Sequence, residues 1–319
     1  MAELVLSIER EGVLYYPVVT DEVSVEWERE GTPGKLCFRV LKDGVLDFHE
    51  GNVVRLTVDG TPFFYGYVFT KRRGKNGIIS VTCYDQLRYF KNKGSRRYVD
   101  RTAGELVREL AAEYGLVSGE IAETGTLLTR REDKAALFDM VAWALEETER
   151  LSGRRFVLYD DFGRLMLRDV EAMRLDVLIR ADSAEDFDYE SSIDGETYNS
   201  VKVYYENGRK GYLEEHVERD AENVRRWGVL ELYERVEQTE GMAEEAKGLL
   251  EEYNRKTRRL SVSGAAGDVR VRAGCMLPVA LSLGDIVVDS YLTAESVKHR
   301  FCHGGHLMDL VLTGGLFTE

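Results

Sequence analysis

The sequence lacks any run approaching the roughly 18 consecutive apolar residues that a membrane-spanning helix needs. Its opening, Met1 to Gly12, has neither the basic start nor the long apolar core of an export signal. The chain is expected to be made in the cytoplasm without export, and no membrane partner is expected. Cysteine is sparse: Cys37, Cys83, Cys275 and Cys302 are scattered, with no CxxC. That excludes a disulfide framework or a zinc ribbon from local spacing and reads as small fillers in a reducing compartment. GxSxG, HExxH, the P-loop and GxGxxG are all missing, so neither catalysis nor nucleotide binding has a local signature. Positive charge is in deficit, with 43 Lys and Arg against 57 Asp and Glu, net −14. A nucleic-acid-binding surface needs a basic footprint, so specific nucleic-acid binding is not expected. The charge suits plain solubility, and equally a surface that DNA passes without sticking.

What is present is an ordinary globular composition, 44% hydrophobic and 31% charged, over 319 residues, enough for two or three domains. Two stretches organise it, Gly51 to Tyr84 and Gly274 to Thr313. Each opens on a glycine and an apolar strand (Val54, Leu56, Val58; Leu277, Val279, Leu281). Each turns into a Tyr-containing strand ending in basic residues (Lys71, Arg72, Arg73; Lys298, His299, Arg300). Each crosses a glycine turn (Asn76-Gly77; Gly304-Gly305) and returns as a strand (Ile79, Val81, Cys83; Met308, Leu310, Leu312). Asn-Gly between alternating apolar runs is a strong hairpin signal. The pair reads as one β-unit used twice.

Residues 1–95 read as all β. Val23, Val25 and Trp27 alternate with Glu26, Glu28 and Glu30, giving a strand with one core face and one acidic face. A module over 96–185 follows. Thr102 and Glu105 form a capping box ahead of a helix whose stripe is Leu106, Val107, Leu110, Ala111 and Tyr114, stopped by Gly115. A second helix is expected from Asp133 to Leu151, burying Leu137, Phe138, Val141, Ala142, Leu145 and Thr148. A hairpin over Arg154–Val170 turns at Asp160–Gly163. From 186 to 319 the pattern is β again: a strand around Asn199, a polar stretch to Arg226, another strand, then one amphipathic helix over 242–258. The fold class is mainly β with an α+β insert: two small β-barrel domains of similar topology, 1–95 and 186–319, flanking the α+β module.

Candidate sites are few. His299, Cys302, His303 and His306 are usual zinc ligands within eight positions. A hairpin sends successive side chains to opposite faces, so these four are not expected to converge. Asp160 and Asp161 sit in a tight turn, where Asp is favoured for side-chain-to-backbone bonds. Neither they nor Glu26, Glu28 and Glu30 show a partner that would separate an acid from a base. Arg72, Arg73, Lys75, Arg96 and Arg97 read as ion pairs or subunit contacts. No catalytic, cofactor-binding or metal residue is assigned.

A set of motifs carries a resemblance: Cys83-Tyr-Asp-Gln-Leu-Arg-Tyr89 with Lys91-Asn92-Lys93; Tyr159-Asp-Asp-Phe-Gly-Arg-Leu165; Ser191-Ser-Ile-Asp194 with Thr197-Tyr-Asn-Ser-Val-Lys202; Trp227-Gly-Val-Leu230; Gly267-Asp-Val-Arg-Val-Arg-Ala-Gly274; Val297-Lys-His299 with Gly305-His-Leu-Met308. In this order they resemble the XkdQ/YqbQ family of prophage tail proteins, grouped with the baseplate hubs of contractile-tailed phages. The resemblance implies a non-enzymatic structural subunit in a virion or phage-tail-like particle, assembled in the bacterial cytoplasm. It implies a homotrimer whose paired barrels give near-sixfold symmetry. The partners implied are a tail tube or tube-initiator protein, a central spike protein and other baseplate proteins, with DNA passing through the channel. Asp85 is expected to cap the turn after the first barrel's last strand over Leu87 and Tyr89. Asn199 and Gly274 are expected to hold strand entries, and the acidic face at Glu26, Glu28 and Glu30 to line a lumen or face solvent without a protein contact. Some related hubs carry a cell-wall hydrolase, and no such domain is expected here, the match ending at Glu319. The rival readings are a tail-associated cell-wall hydrolase using His303 and His306, and a monomeric sugar-binding β-protein.

Overall fold

The computed structural model describes residues 3–207, 212–236, 238–284, 286–302 and 305–318. They form two compact units, one of residues 1–188 with 261–319, the other of residues 189–260.

The first unit begins with β1 (Leu4–Arg10), β2 (Val13–Tyr15), β3 (Val19–Glu28), β4 (Lys35–Leu41), β5 (Val53–Val58), β6 (Thr61–Arg73) and β7 (Ile78–Tyr84). In space they run β3-β4-β7-β6-β5-β1-β2, each neighbour antiparallel. Period-two patterning drives this. Val54, Leu56 and Val58 on β5, and Ile79, Val81 and Cys83 on β7, are buried while their intervening neighbours are half exposed. Val23, Val25 and Trp27 point inward on β3 with Leu36, Phe38 and Val40 of β4. Asp59 and Gly60 both have positive φ (49° and 75°), the geometry of a tight β5–β6 turn that follows the twist of its strands.

The insert follows: a 3₁₀ turn (Gln86–Lys91), β8 (Lys93–Arg101), α1 (Ala103–Glu113), β9 (Ser118–Ile121), β10 (Leu128–Ala136), α2 (Leu137–Ser152), β11 (Phe156–Asp160), β12 (Leu165–Asp169) and a second 3₁₀ turn (Val170–Met173). The capping box is formed in both directions: Glu105 N donates to Thr102 Oγ1 at 3.2 Å, and Thr102 N to Glu105 Oε2 at 2.9 Å. The second helix starts at Leu137, not at Asp133, because residues 128–136 are a strand paired with β8. Its buried face is Leu137, Met140, Val141, Ala144 and Thr148, with Phe138, Ala142 and Leu145 only half buried. These side chains close on Phe90, Leu106, Leu110, Leu165 and Leu167. β13 (Ile179–Arg180) and β14 (Asp186–Ser192) lead out.

The second unit holds β15 (Ser200–Asn207), β16 (Tyr212–Arg219), α3 (Ala221–Trp227), β17 (Glu231–Arg235) and α4 (Met242–Tyr253). Its sheet runs β16-β15-β17, and α4 covers one face with Met242 and Ala246 on Val201 and Val203. The supposed polar stretch to Arg226 thus holds a strand and a short helix. Asp220 starts that helix by accepting from Glu222 N and Asn223 N. The amphipathic helix ends at Tyr253, five residues before its expected end. The Asn254 amide donates to Asp220 Oδ2 at 2.7 Å, and its oxygen accepts from Asn223 at 2.8 Å. Buried Asn199 joins two segments, donating to Gly228 O (2.7 Å) and accepting from Leu230 N (2.9 Å).

The chain closes with β18 (Thr257–Ala266), β19 (Met276–Ser282), β20 (Val287–Cys302), β21 (Gly305–Thr313) and β22 (Phe317–Thr318). Here the sequence echo becomes geometry. Gly51 (φ 87°) donates to Val68 O at 2.7 Å, and Val68 N donates back to Asn52 O at 2.9 Å. Gly274 (φ 90°) donates to Ala294 O at 2.8 Å, and Ala294 N back to Cys275 O at 2.9 Å. Each long strand then bulges, between Val68 and Thr70 in β6 and between Ala294 and Ser296 in β20. Each pairs with the preceding strand along its first part and with the following strand along its second. A left-handed glycine and a bulge bend both strands at the same point of the motif.

Candidate functional site

The two β-units are not separate bodies. β20 pairs antiparallel with β3, from Phe301 opposite Val23 to Ser296 opposite Glu28, so one fourteen-stranded sheet contains both. Ion pairs line this joint. Glu26 meets Lys35 at 3.0 Å and Lys298 at 2.9 Å, and Arg29 meets Glu295 at 2.7 Å. Partial burial works to raise the Glu26 carboxyl, but hydrogen bonds from Lys298 and Lys35 outweigh it and hold it below its ordinary range. Within the acidic row Glu26 is a cross-strand tie inside the chain, while Glu28 and Glu30 are exposed.

Behind the joint lies an aromatic cluster. Phe63 stands edge-on to Trp27 (5.1 Å), His299 (4.9 Å) and Phe301 (5.5 Å). His299 is fully buried. Its Nε2 lies 2.8 Å from Val271 O and its Nδ1 2.7 Å from His306 Nε2. A carbonyl only accepts, so His299 carries its proton on Nε2 and receives the His306 N–H on Nδ1. Burial pushes His299 down to about 3, keeping it neutral, and also lowers His306. Gly267 leaves room for this pair, since a Cβ there would fall within 2.4 Å of the His306 ring atoms.

Of the four candidate ligands, the structure brings two together, His299 and His306. Phe301 lies opposite His306 across the hairpin, which places His299, two residues earlier, on the same face. Cys302 is exposed and His303 lies outside the described residues. Among the described residues no group of three or more His, Cys, Asp or Glu side chains could hold a metal. The His299 pair has a pH signature. Its folded pKa lies below the unfolded 6.5, so stability is intact above pH 6.5. As pH falls towards 3 the unfolded chain gains a proton that the folded chain refuses, costing about 1.4 kcal/mol per pH unit. Urea unfolding of wild type and His299→Phe from pH 7 to 4 should show their stability difference shifting in favour of the variant at acid pH. Parallel curves would contradict this assignment.

A second network ties the insert to both β-units. Asp85 accepts from Gly34 N (2.9 Å) and Leu87 N (3.0 Å), the cap its position suggested. Gln86 Nε2 donates to Asp160 Oδ2 (2.8 Å), and Asp160 Oδ1 accepts from Gly163 N (2.7 Å). Arg272 donates to Asp160 O (2.7 Å) and lays its guanidinium 4.0 Å from the Tyr159 ring centre and 5.3 Å from that of Trp27. Burial raises both carboxyls, and Asp160 pushes Asp85 higher still. Asp160 is thus no ordinary turn carboxylate, and it has the buried acidic neighbour that the sequence did not show. The space beside the pair is about 10 Å³, enough for one water. No substrate fits there, and the network works as a clamp. Sequence reasoning identified Asp85 but missed Gln86, Arg272 and the link through Trp27, because no local signal marks them.

A family model described as YQBQ-like matches residues 23–313. The chain belongs to the YQBQ-like family. Two relatives of this YQBQ-like chain come from Bacillus subtilis (strain 168). One is described as uncharacterized protein YqbQ, 27% identical, covering 97% of this chain and 96% of its own. The other is the phage-like element PBSX protein XkdQ, 25% identical, covering 92% of each. Among solved structures, the 43 kDa tail protein of prophage MuSo2 from Shewanella oneidensis aligns over 97% of this chain and 98% of its own, with TM-score 0.71 and 13% identity. An E. coli component of the type VI secretion system, described as similar to T4 bacteriophage tail proteins gp27 and gp5, aligns over 98% and 77%, with TM-score 0.55 and 8% identity. The YQBQ-like chain shares its fold with these proteins.

Proposed function

We propose that this YQBQ-like chain is a structural hub subunit of the baseplate of a contractile phage tail or phage-tail-like particle. It joins a sixfold tail tube to a threefold central spike and acts as a homotrimer. The observation that carries this reading is the repeated β-unit, with its matching glycine, reciprocal backbone bonds and bulge, fused edge to edge through β3 and β20. Three copies of a chain with two like β-units present six similar elements around one axis, while other surfaces keep threefold symmetry. Residues 1–95 and 186–319 supply the two β-domains and 96–185 the module between them. The names of its relatives, a PBSX protein and prophage tail proteins, support the setting. Its partners are then the tube or tube-initiator protein, the spike and other baseplate proteins.

The reading is non-enzymatic. His299 and His306 are bonded to each other inside the core, and Asp85 and Asp160 are sealed beside a water-sized space. A net charge of −14 lets DNA pass without adhering. An obligate ring of this kind should bury upwards of roughly 2,000 Å² per interface. Quantitative mass spectrometry of purified particles tests the reading. Three copies per tail end are expected, against tube protein in multiples of six. Copy numbers scaling with tube length would refute it.

A further inference from the structure

β8 and β10 form a two-stranded ribbon that no third strand joins among the described residues. Its two faces treat their arginines differently. On the inner face Tyr98 and Glu132 are buried, and both arginines have carboxylates. Arg96 meets Glu109 at 3.4 Å and also Glu113, and Arg130 meets Glu132 at 2.9 Å. On the outer face Arg97 of β8 stands directly opposite Arg131 of β10. Both are exposed, and among the described residues neither joins an ion pair.

Directly opposed side chains of an antiparallel pair have Cβ atoms about 5 Å apart, and like charges there destabilise the pair. Their surroundings do not offset it. Lys93 and Lys134 add two exposed cations, against the carboxylates of Asp100 and Asp133. Those carboxylates are engaged by hydroxyls: Asp133 accepts from Ser95 Oγ at 2.8 Å, and Asp100 from Thr129 Oγ1 at 3.5 Å. The outer face is thus a positive spot on a chain of net charge −14.

We propose that the Arg97–Arg131 pair docks a carboxylate-bearing segment of a neighbouring protein subunit. The setting, a particle with such neighbours, rests on the hub reading. Guanidinium forks match carboxylate oxygens in pairs, and an incoming acidic side chain relieves the repulsion that the isolated chain carries. Val99 adjoins on the same face at 49% exposure, apolar surface that a protein partner covers. A nucleic-acid backbone fits less well. Two guanidiniums beside two carboxylates make no extended phosphate track, and the chain as a whole repels a polyanion.

Stability and assembly should therefore respond in opposite directions. In the isolated full-length chain, Arg97→Glu sets opposite charges across the ribbon and should raise the urea midpoint. In purified particles the same variant, and Arg131→Glu, should be incorporated about tenfold less than wild type. Arg97→Lys keeps the charge and should stay within about threefold. Carbodiimide treatment of particles carrying Arg97→Lys identifies the occupant: the activated carboxyl is attacked by the introduced amine, forming an amide and releasing the urea. Peptide mass spectrometry should find that amide on an Asp or Glu of another polypeptide chain. A lowered urea midpoint for Arg97→Glu would show the arginines already neutralised within the chain and overturn the proposal. So would normal incorporation of both reversals, or a cross-link confined to Asp133 of the same chain. Lost incorporation with no cross-link to another chain would overturn the carboxylate occupant in favour of a phosphate-bearing one. Wild-type copy numbers other than three would remove the hub reading, while an amide to another chain would still uphold the contact.

Discussion

Replacing Trp27 with Ala should lower the unfolding free energy by about 3–5 kcal/mol, the cost of deleting a large buried aromatic from a packed core. The indole is only 8% exposed. It lies on β3 opposite Val297 of β20, at the joint itself. Its ring stands edge-on to Phe63 (5.1 Å) and His299 (5.4 Å), with the Arg272 guanidinium 5.3 Å away. One side chain therefore touches the first β-unit, the second β-unit and the arginine that reaches the insert. The site also collapses poorly. Gly34 approaches so closely that a Cβ there would lie 2.7 Å from the indole, and the approach is fixed by the Asp85 bond to Gly34 N. Trp27→Phe keeps part of the ring contact and should cost about 1–2 kcal/mol. Urea unfolding of the two variants measures this. A loss below about 1 kcal/mol for Trp27→Ala would mean that the joint is held elsewhere.

Asp85→Ala should cost about 2–4 kcal/mol, because it leaves Gly34 N–H and Leu87 N–H buried without an acceptor. Asp85→Asn keeps an acceptor oxygen and should cost less. Its comparison with wild type also has a pH sign. Burial, reinforced by Asp160, raises the folded pKa of Asp85 above its unfolded value. The stability linked to that proton is full below the unfolded pKa near 3.9 and is lost as pH rises through the folded value. The asparagine carries no such proton. The deficit of Asp85→Asn relative to wild type should therefore shrink between pH 4.5 and pH 8. A deficit that grows with pH would show Asp85 to be stabilised as a carboxylate.

Much of the fold was legible because its signals are local. The capping box at Thr102 and Glu105 and the alternation in β5, β7 and β21 are each decided within a few residues. So is the echo between Gly51 and Gly274. The errors fall where distant partners decide. Asp133 to Ala136 read as a helix start, but β8 captures them as strand through a bulge, with Lys134 at φ 56°. The last helix read on to residue 258, but side chains some thirty residues earlier stop it at Asn254. Alternation along one strand argued against four converging ligands but did not reveal that the register across the hairpin brings His299 and His306 together. The joint of β3 with β20, and the bonds from Gln86 and Arg272 to Asp160, span separations that no short motif encodes.

A single averaged image of the intact particle bears most directly on the assembly. Three copies of this chain should lie on the tail axis, their six β-units forming a ring of near-sixfold symmetry that faces the tube. Density for this subunit away from the axis, or a ring built from any number of copies other than three, would contradict it.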